Sequence, residues 1–464
     1  KQVAAYNLHF SVKAGADLSA SPSSESVSFS KPVLTAVVAD ATMLSTVGGD
    51  KVTLKGSNFG TASPFLATAL GKVEYSSGLS DAGLPSFQAA TCVSVSDGEL
   101  DCTSSPGTGT NLEWRVMTGG QVSNVLKTTI SFKPPTVTKV GGTGTAVASG
   151  LVATTAANTS KLRTVGGENV FIQGKEFGPM GTPVAAEYVQ PGGVAYAAQS
   201  CRVTVANTEI GCQTVPGVGS EHIWRVAVIT GGVKQWSSTP SGDLAPLTTS
   251  YHPPELVAIN DGATELATDG GQEITLQGKN FGPSTDAALG CDDQSRPTLI
   301  FGGKAGGTGV VKMGTATQLE AKCCSVLSPT AVRCLSPMGV GRDFDWQISV
   351  GAQKSDILSS VNTGYGPPIL IRYRGVGSKD ALTEGGQDVV LEGKNFGPAK
   401  LANGLDGSLA PLVLASISTV TYGKTGTEYT VDVSTCKITT DHFMVTCATV
   451  PGGGKGLKWF IDID

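Results

Sequence analysis

The stretch "GGDKVTLKGSNFG", residues 48–60, decides the fold of this protein because it returns three times along the chain. The copies read "GGENVFIQGKEFG" from residue 166, "GGQEITLQGKNFG" from 270 and "GGQDVVLEGKNFG" from 385. Between the glycines, apolar and polar residues alternate, as they do in a strand with one buried face. We therefore expect a strand in every copy, with Val52 and Leu54 facing the core in the first.

A glycine-rich stretch can also be compared with a phosphate-binding loop. Such a loop follows a strand, opens a helix and ends in Lys-Ser/Thr. Here the glycines flank the strand, and the residues that follow are rich in Thr and Pro. Gly49 suits a turn with positive φ, and Asn58 is a residue type that tolerates the left-handed conformation. We therefore interpret the stretch as turn and core, with Phe59 folding back onto the core.

Other features return with the same period. An aromatic–proline segment precedes each copy, as in "SFKPPTV" from residue 131, and a proline–glycine turn with a tryptophan strand follows it, as in "SPGTGTNLEWRV" from 105. Four of the five tryptophans share one position in this strand. The repeated positions predict the core residues Val52, Leu54, Phe59, Trp114, Phe177, Trp224, Phe281, Trp346, Phe396 and Trp459.

Measured from proline to proline, the repeats are 103, 119 and 114 residues long. Short alternating segments with turn signals every eight to twelve residues are typical of a β-sandwich of Ig size. The predicted fold class is all-β, with tandem Ig-like β-sandwiches arranged as a rod, because Pro-Pro couples join the repeats where a flexible linker would be Gly/Ser-rich.

We divide the chain into four repeats and a preceding segment. "YNLHFSVKAG", from residue 6, is similar to the tryptophan strand, with His9 at the position of Trp114, so residues 1–30 are predicted to be the C-terminal strands of an earlier repeat. The last repeat is predicted to be truncated in its final strand. The predicted bounds are 1–30, 31–133, 134–252, 253–366 and 367–464.

Ten cysteines form couples at one place in each repeat, with nine or ten residues between them. This spacing suits disulfides between neighbouring antiparallel strands, whereas zinc would need CxxC or Cys/His clusters. The predicted couples are Cys92 with Cys102, Cys201 with Cys212, Cys324 with Cys334, and Cys436 with Cys447. Cys291 and Cys323 remain for a fifth bond, and Cys323 and Cys324 can exchange roles. Disulfides indicate an oxidising, extracellular compartment.

The formal charge of −5 and the absence of a basic run argue against a nucleic-acid partner. No apolar stretch is long enough to span a membrane, so we expect no membrane insertion by this segment. The only N-glycosylation sequon lies at Asn158, in the low-complexity insertion 141–160. A second insertion, 399–416, lengthens the fourth repeat, and both are expected to be surface loops.

With the repeats laid out, the chain resembles the IPT/TIG family of Ig-like domains. The resemblance rests on the "GGxxVTLxGxNFG" stretch, the cysteine couple, "PxGxG" before an aromatic strand, and the closing "GGQVS" at 119–123. It covers almost the whole chain. Departures are Glu176 in place of the usual Asn, looser closing turns in the second and third repeats, and no closing turn in the fourth. The resemblance implies settings such as plexin-like and fibrocystin-like surface proteins, large protist and algal extracellular proteins, starch-acting enzymes and Rel-type transcription factors.

No catalytic, cofactor or metal site is predicted, and we expect no enzymatic activity and no cofactor. The four histidines, His9, His222, His252 and His442, are scattered over different repeats without catalytic spacing. Asp292 and Asp293 lack the ligand spacing of a calcium loop, so a solvated acidic turn is the favoured interpretation. Trp236, outside the repeated position, suits either core packing or contact with a neighbouring domain, a partner or a sugar.

These observations favour a non-enzymatic structural protein of an extracellular filament, surface coat or flagellar-hair-like appendage. Its expected partners are further copies of itself, other extracellular surface proteins or glycans, with localisation outside the cell or at the cell surface. Strands that lack partners in their own sandwich are expected to find them either in further residues of the same chain or, as a hypothesis, by exchange with the next molecule. The alternatives are the ectodomain of a membrane-anchored adhesion protein or receptor and a carbohydrate-binding accessory array. A nuclear DNA binder contradicts both the disulfides and the charge.

Overall fold

A computed structural model describes residues 9–18, 25–60, 71–79, 86–141, 161–190, 193, 195–237, 248–259, 264–285, 296–303, 318–359, 363–399 and 415–463. By contact density the chain divides into two compact units. Unit 1 comprises residues 1–162, 166–215 and 221–250, and unit 2 comprises residues 163–165, 216–220 and 251–464. The predicted repeat bounds stay predictions; below, "first repeat" to "fourth repeat" denote those ranges.

Short strands make up the secondary structure. Before the first repeat lie β1 (Lys13–Ala14) and β2 (Asp17–Leu18). The first repeat contains β3 (Val33–Ala39), β4 (Met43–Leu44), β5 (Lys51–Ser57), β6 (Lys72–Ser76), β7 (Phe87–Gln88), β8 (Thr91–Ser96), β9 (Glu99–Thr103), β10 (Glu113–Thr118), β11 (Gln121–Val122), β12 (Leu126–Lys127) and β13 (Ser131–Phe132). The second contains β14 (Thr136–Val140), β15 (Asn169–Lys175), β16 (Val184–Val189), β17 (Ala195–Ala197), β18 (Gln199–Val205), β19 (Glu209–Gln213), β20 (His222–Thr230), β21 (Val233–Trp236) and β22 (Thr248–Thr249).

The remaining strands follow the same order. The third repeat contains β23 (Glu255–Ile259), β24 (Thr264–Leu266), β25 (Glu273–Lys279), β26 (Thr298–Gly303), β27 (Leu319–Ser328), β28 (Ala331–Leu335), β29 (Phe344–Val350), β30 (Gln353–Lys354) and β31 (Thr363–Tyr365). The fourth contains β32 (Ile369–Arg374), β33 (Asp388–Lys394), β34 (Ile417–Gly423), β35 (Tyr429–Thr430), β36 (Lys437–Thr440), β37 (Met444–Ala448) and β38 (Lys458–Ile463), with a short 3-10 helix at Val433–Thr435.

Each repeat builds its sandwich from the same antiparallel pairings. In the first, one sheet has the order β3-β5-β9-β8 and the other the order β11-β10-β6-β7, with β12 also paired to β10. The second repeat has β14-β15-β19-β18 opposite β17-β16-β20-β21, and the fourth has β32-β33-β37-β36 opposite β35-β34-β38. In the third, the long β27 belongs to both layers, so seven strands form one continuous sheet. The chain is thus a tandem series of Ig-like β-sandwiches.

All ten predicted core residues are buried, from 0% exposure at Leu54 to 7% at Trp459. The tryptophan in every repeat stacks on the aromatic ring directly opposite it on the neighbouring strand, with centroids 4.2 or 4.3 Å apart. The stacked pairs are Trp114–Tyr75, Trp224–Tyr188, Trp346–Phe301 and Trp459–Tyr422. This cross-strand stack is the centre of each core and adds to the stabilisation by buried area.

The structure gives a physical reason for the repeated glycine stretch. Asn58 has φ of 62°, and its counterparts Glu176, Asn280 and Asn395 lie within a degree or two of that value. A Cβ on Gly56 would overlap the carbonyl oxygen of Val33 and lie 2.5 Å from the ring of Phe59. The glycine therefore lets the phenylalanine ring fold under the strand, beside a β-bulge in β3 that recurs at the same place in every repeat.

One sequence alignment was wrong by a residue. β1 pairs with β2 so that Lys13 lies opposite Leu18, the register by which Met117 lies opposite Val122. Trp114 lies three residues before Met117, and Phe10 lies three residues before Lys13. Phe10, and not His9, therefore stands at the position of Trp114. The reason is that a strand alternates its faces, so one residue of slip moves an exposed side chain onto the core position.

The structure joins four cysteine couples as disulfides: Cys92–Cys102, Cys201–Cys212, Cys324–Cys334 and Cys436–Cys447. Cys324, and not its neighbour Cys323, is therefore the partner of Cys334. Cys323 is also disulfide-bonded, and it lies in a bulge of β27 with φ of 52°. Its predicted partner Cys291 lies outside the described residues, as do Asn158, Asp292, Asp293 and nearly all of both insertions.

Candidate functional site: the repeat junctions

In the first three repeats, the proline–glycine loop before the tryptophan strand holds the aromatic residue that leads into the next repeat. Phe132 has its ring over Gly107, where a Cβ would lie 2.8 Å from it. In unit 2, Tyr251 lies over Gly217 and Tyr365 over Gly339 at the same distance. The three rings are 0%, 0% and 3% exposed. A glycine is needed in this loop because any side chain would occupy the place of the ring.

The residue directly after this glycine packs against the last glycine of the next repeated stretch. We call Thr108, Val218 and Val340 the knob residues. A Cβ on Gly178 would lie 2.5 Å from Cγ2 of Thr108, and Cβ atoms on Gly282 and Gly397 would overlap Val218 and Val340. These glycines are the last residues of the repeated stretch and have φ of 81°, 84° and 73°. Glycine is therefore required here for two reasons: the backbone is left-handed, and the knob residue lies too close to leave room for a side chain.

A glutamine from the closing turn completes the junction. Gln121 Nε2 donates to the carbonyl of Phe29 at 2.8 Å, and Gln235 Nε2 donates to the carbonyl of Phe132 at 2.9 Å. In unit 2, Gln353 Nε2 donates to the carbonyl of Tyr251 at 3.1 Å. The closing turn of the second repeat is a looser copy in sequence, yet its glutamine reaches the same kind of carbonyl. The bond ties the aromatic linker to the repeat that follows it.

In unit 1 the junction is polar. The hydroxyl groups of Thr108 and Thr230 lie 2.9 Å apart, and both residues are buried. The carboxylate of Glu176 accepts from the backbone N–H and the hydroxyl of Thr46, each at 2.7 Å. The side chain of Asn207 lies 2.8 Å from the same hydroxyl. The hydroxyl of Thr46 can donate only one hydrogen bond, and it donates to Glu176. If the amide nitrogen of Asn207 faces Thr46, this nitrogen donates to the hydroxyl oxygen, and the hydroxyl, the carboxylate and the amide are all bonded.

In unit 2 the corresponding junction is largely apolar. Val340 is 3% exposed, and a Cβ on Gly397 would also lie 2.6 Å from the methyl group of Ala415. Ala415 and Ile463 of the fourth repeat pack against the core of the third. A polar contact between the described residues of these two repeats joins His442 Nδ1 and the hydroxyl of Thr268, 3.0 Å apart. Burial of methyl groups therefore contributes most of the stabilisation at this junction.

The tryptophan indole nitrogens show a difference between repeats. Trp224 Nε1 donates to Thr249 Oγ1 at 2.9 Å, and Trp346 Nε1 donates to Thr363 Oγ1 at 2.5 Å. Each acceptor lies two residues before the linker aromatic. Ile130 stands at that position in the first repeat, and Trp114 Nε1 is buried without a partner. An unsatisfied buried donor of this kind costs free energy of folding.

Charged residues pair across the outer faces of the sheets. Glu74 lies between Lys72 and Arg115, and Arg115 Nε donates to it at 2.6 Å. Burial by itself raises the pKa of Glu74, but the bonds from Lys72 and Arg115 outweigh burial and hold the pKa below its ordinary value. On the fourth repeat, Arg374 and Arg372 both pair with Glu392 and lower the pKa of that carboxyl. These are structural ion pairs on a sheet surface.

The histidines and Trp236, the candidates for catalysis or ligand binding, do not form a cluster. His222 is buried against Thr249 and the ring of Tyr188, His442 lies at the unit 2 junction, and His9 is exposed. Trp236 is half-buried on β21, with the guanidinium of Arg225 4.5 Å from its ring centroid. Within the described ranges no three His, Cys, Asp or Glu side chains lie close enough to hold a metal ion. The same ranges contain no helix long and apolar enough to cross a membrane.

Sequence reasoning missed the knob residues and the glutamines as junction residues. The knob recurs between the two glycines of the loop, and a glutamine recurs in or beside the closing turn, so part of the signal was present in the alignment of repeats. The knob contacts a glycine of the next repeat, and the glutamine bonds to the linker that precedes its own repeat. No local pattern identifies such partners.

No family model matches the chain, and no curated protein matches it. Several solved structures do. The full extracellular region of plexin A4 is 9% identical with a TM-score of 0.16, covering 92% of this chain and 46% of that one. The FN1-FN3 domains of chicken CNTN1 are 13% identical with a TM-score of 0.22, covering 72% and 99%. Invasin, a bacterial integrin-binding protein, is 12% identical with a TM-score of 0.19, covering 91% and 74%.

The chain thus spans less than half the length of the plexin region that it matches. Similarity at this level does not identify a function. The fold of the chain rests on its own sheets and registers.

Proposed function

We propose that the chain is a non-enzymatic structural array of IPT/TIG-type repeats in an extracellular filament or surface coat. The observation that carries this proposal is the recurrence of the contact between a knob residue and the last glycine of the next repeated stretch, to which Gln235 and Gln353 each add a hydrogen bond at one junction. Within a unit, such contacts hold one repeat against the next, as a scaffolding array requires. The side chains that recur serve the junctions and the cores.

The disulfides support the extracellular part of the proposal. Four described couples are buried or nearly so, each joining neighbouring strands of one sandwich. Such bonds form and persist in oxidising compartments. They stabilise a domain mainly by restricting its unfolded chain, an advantage for a protein exposed to a dilute and variable medium.

The location is tested by labelling cells of the source organism. Antibodies raised against the purified 464-residue protein are applied to intact and to permeabilised cells, followed by gold-labelled secondary antibody and electron microscopy. We expect gold on the surface or its appendages in intact cells. Label that appears only after permeabilisation would contradict the proposal.

The structural role is tested by limited proteolysis. Because the linker at 132–135 is held by Gln235 and by the loop glycine, we expect it to resist a protease that cleaves unfolded chain. Gln235→Ala removes one bond and should speed cleavage there, while Gln121→Ala should leave this linker unchanged. Rapid cleavage of the unmodified linker would show that the repeats are loosely joined, which contradicts a stiff array.

A further inference from the structure

The outer face of one sheet in the second repeat carries an aromatic ring on a row of small side chains. Trp236 on β21 lies opposite Ala227 on β20, which in turn lies opposite Ala185 on β16. The indole is half-buried, and both of its neighbours in the row end in a methyl group. Because neighbouring strands lie about 4.8 Å apart, the row is about 10 Å long. It is a low, apolar strip in the middle of the sheet face.

Two cations flank the ring. The guanidinium of Arg225 lies 4.5 Å from the ring centroid and is paired with Glu187, directly opposite on β16. Lys234 Nζ lies 5.6 Å from the same centroid. Lys234 is exposed, and no carboxylate of a described residue pairs with it. Since Glu187 neutralises Arg225, Lys234 leaves the group with a net positive charge beside a half-exposed ring.

The ring has no aromatic counterpart at the same place in the first repeat. Ser123 and Ser237 correspond to each other, because each bonds to the backbone of the central strand in the same way. Val122 therefore stands at the position of Trp236. The aromatic ring is a feature of the second repeat and not of the repeated core pattern.

The charges of the first repeat are also arranged differently. On the corresponding outer face, Lys72 and Arg115 are both paired with Glu74, and Lys127 is paired with Glu113. These cations are matched by carboxylates within their own sheet. A cation without such a partner therefore distinguishes the face that carries Trp236.

The combination of ring, apolar strip and cation suits an acidic sugar. The C–H groups on one side of a pyranose ring pack against an indole, and a carboxylate or sulfate group on the sugar is attracted by an ammonium group. The strip is long enough for a disaccharide. A peptide would also need partners for its backbone N–H and C=O groups, which a row of methyl groups does not provide. The surface therefore favours a polysaccharide over an acidic peptide.

We propose that this face of the second repeat binds an acidic polysaccharide, with a sugar ring on Trp236 and the carboxylate or sulfate group of the sugar at Lys234. Arg225, held by Glu187, positions the indole. The site attaches the array to an acidic polysaccharide outside the cell. The inference rests on the proposed structural function and names a partner for it.

The test titrates the whole 464-residue chain with polygalacturonate, which carries carboxylates, and with dextran sulfate, which carries sulfates. Methyl-esterified pectin and dextran are their neutral counterparts. Isothermal titration calorimetry measures the affinities. We expect an acidic polymer to bind about tenfold more tightly than its neutral counterpart. The acidic polymer with the higher affinity identifies the anionic group that the site prefers.

Three variants make the test specific. Trp236→Leu keeps an apolar side chain over the sheet but removes the ring, and should weaken binding about tenfold. Lys234→Gln removes one exposed charge and should weaken binding about fivefold, with little effect on folding. Lys354→Gln is the matched control, since Lys354 is exposed on β30 in the corresponding hairpin of the third repeat, and it should leave binding unchanged.

Three results would overturn the proposal. They are no binding of either acidic polymer, binding that Lys234→Gln weakens no more than Lys354→Gln does, and binding of polyglutamate as tight as that of the polysaccharides. The second result would indicate general attraction between charges, and the third an acidic peptide as the partner. Each would leave the proposed function standing if surface labelling succeeds. Labelling confined to permeabilised cells would instead overturn the function, whatever the affinity for polysaccharides.

Discussion

Unit 1 and unit 2 each contain a junction with the same backbone geometry and different side chains. In unit 1 the knob is Thr108, bonded to Thr230, and the carboxylate of Glu176 binds Thr46. In unit 2, between the third and fourth repeats, the knob is Val340, packed near Ala415. Both knobs lie against a glycine of positive φ. The glycine is therefore the part that both junctions share, while the side chains around it are polar in one junction and apolar in the other.

The largest effect should come from the fixed part. Gly397→Ala forces a side chain into the left-handed region and into contact with Val340 and Ala415. Together these should lower the free energy of unfolding by about 2–4 kcal/mol. Gly386→Ala is the matched control, because Gly386 has φ of 77° and no atom within 4 Å of its Cβ, so only about 1 kcal/mol should be lost. Urea unfolding of both variants gives the comparison. Equal losses would show that backbone strain alone, and not the junction contact, requires the glycine.

The next effect concerns the polar knob. Thr108→Val imitates the apolar junction of unit 2 but leaves the buried hydroxyl of Thr230 without its partner, which should cost about 1–2 kcal/mol. Adding Thr230→Val removes the orphaned group, and the double variant should recover most of that loss. Thermal unfolding of the single and double variants measures the coupling. If the double variant is as unstable as the sum of the singles, the hydroxyl pair is not the reason for the polar junction.

A smaller effect should come from the tryptophan of the first repeat. Ile130→Thr supplies a hydroxyl acceptor for Trp114 Nε1, as Thr249 does for Trp224 and Thr363 for Trp346. Ile130→Val gives a side chain of the same shape as threonine but without the hydroxyl. We expect the Thr variant to be more stable than the Val variant by about 1 kcal/mol, although valine is the more hydrophobic residue. Calorimetry measures the difference, and a red shift of tryptophan emission should accompany the new hydrogen bond. A less stable Thr variant would contradict the assignment of Trp114 Nε1 as an orphan donor.

The smallest effect is the pH dependence of the ion pairs. The pKa of Glu74 is lowered in the folded state, so its contribution is present above the ordinary carboxyl pKa of 4.5 and is lost as the pH falls through the lower folded value. Unfolding between pH 7 and pH 3 should therefore show less loss of stability in Glu74→Gln than in the unmodified chain. A variant with the same pH profile as the parent would show that the pair does not stabilise the fold.

Much of the fold was predictable because it depends on neighbours in sequence. Alternation in "VTL" and its copies fixed which side chains face the core, and all of the predicted core residues are buried. The cysteine couples lie on adjacent strands, so spacing was enough to pair three of them, and the structure was needed to choose Cys324 over Cys323 as the partner of Cys334. The register of β1 was mispredicted by one residue, because His9 was aligned with Trp114 without regard to the alternation of faces along the strand.

The sequence by itself determined the repeats, the strands and the positions of their buried side chains, because a period-two pattern and a turn are local properties of the chain. Only the tertiary structure decided what the last glycine of each stretch contacts, and why Glu176 can stand where asparagine is usual. Thr46 and Glu176 are 130 residues apart, and nothing local to either residue specifies the other. Such partners are selected when two finished sandwiches meet, since the free energy of that contact depends on two surfaces at once.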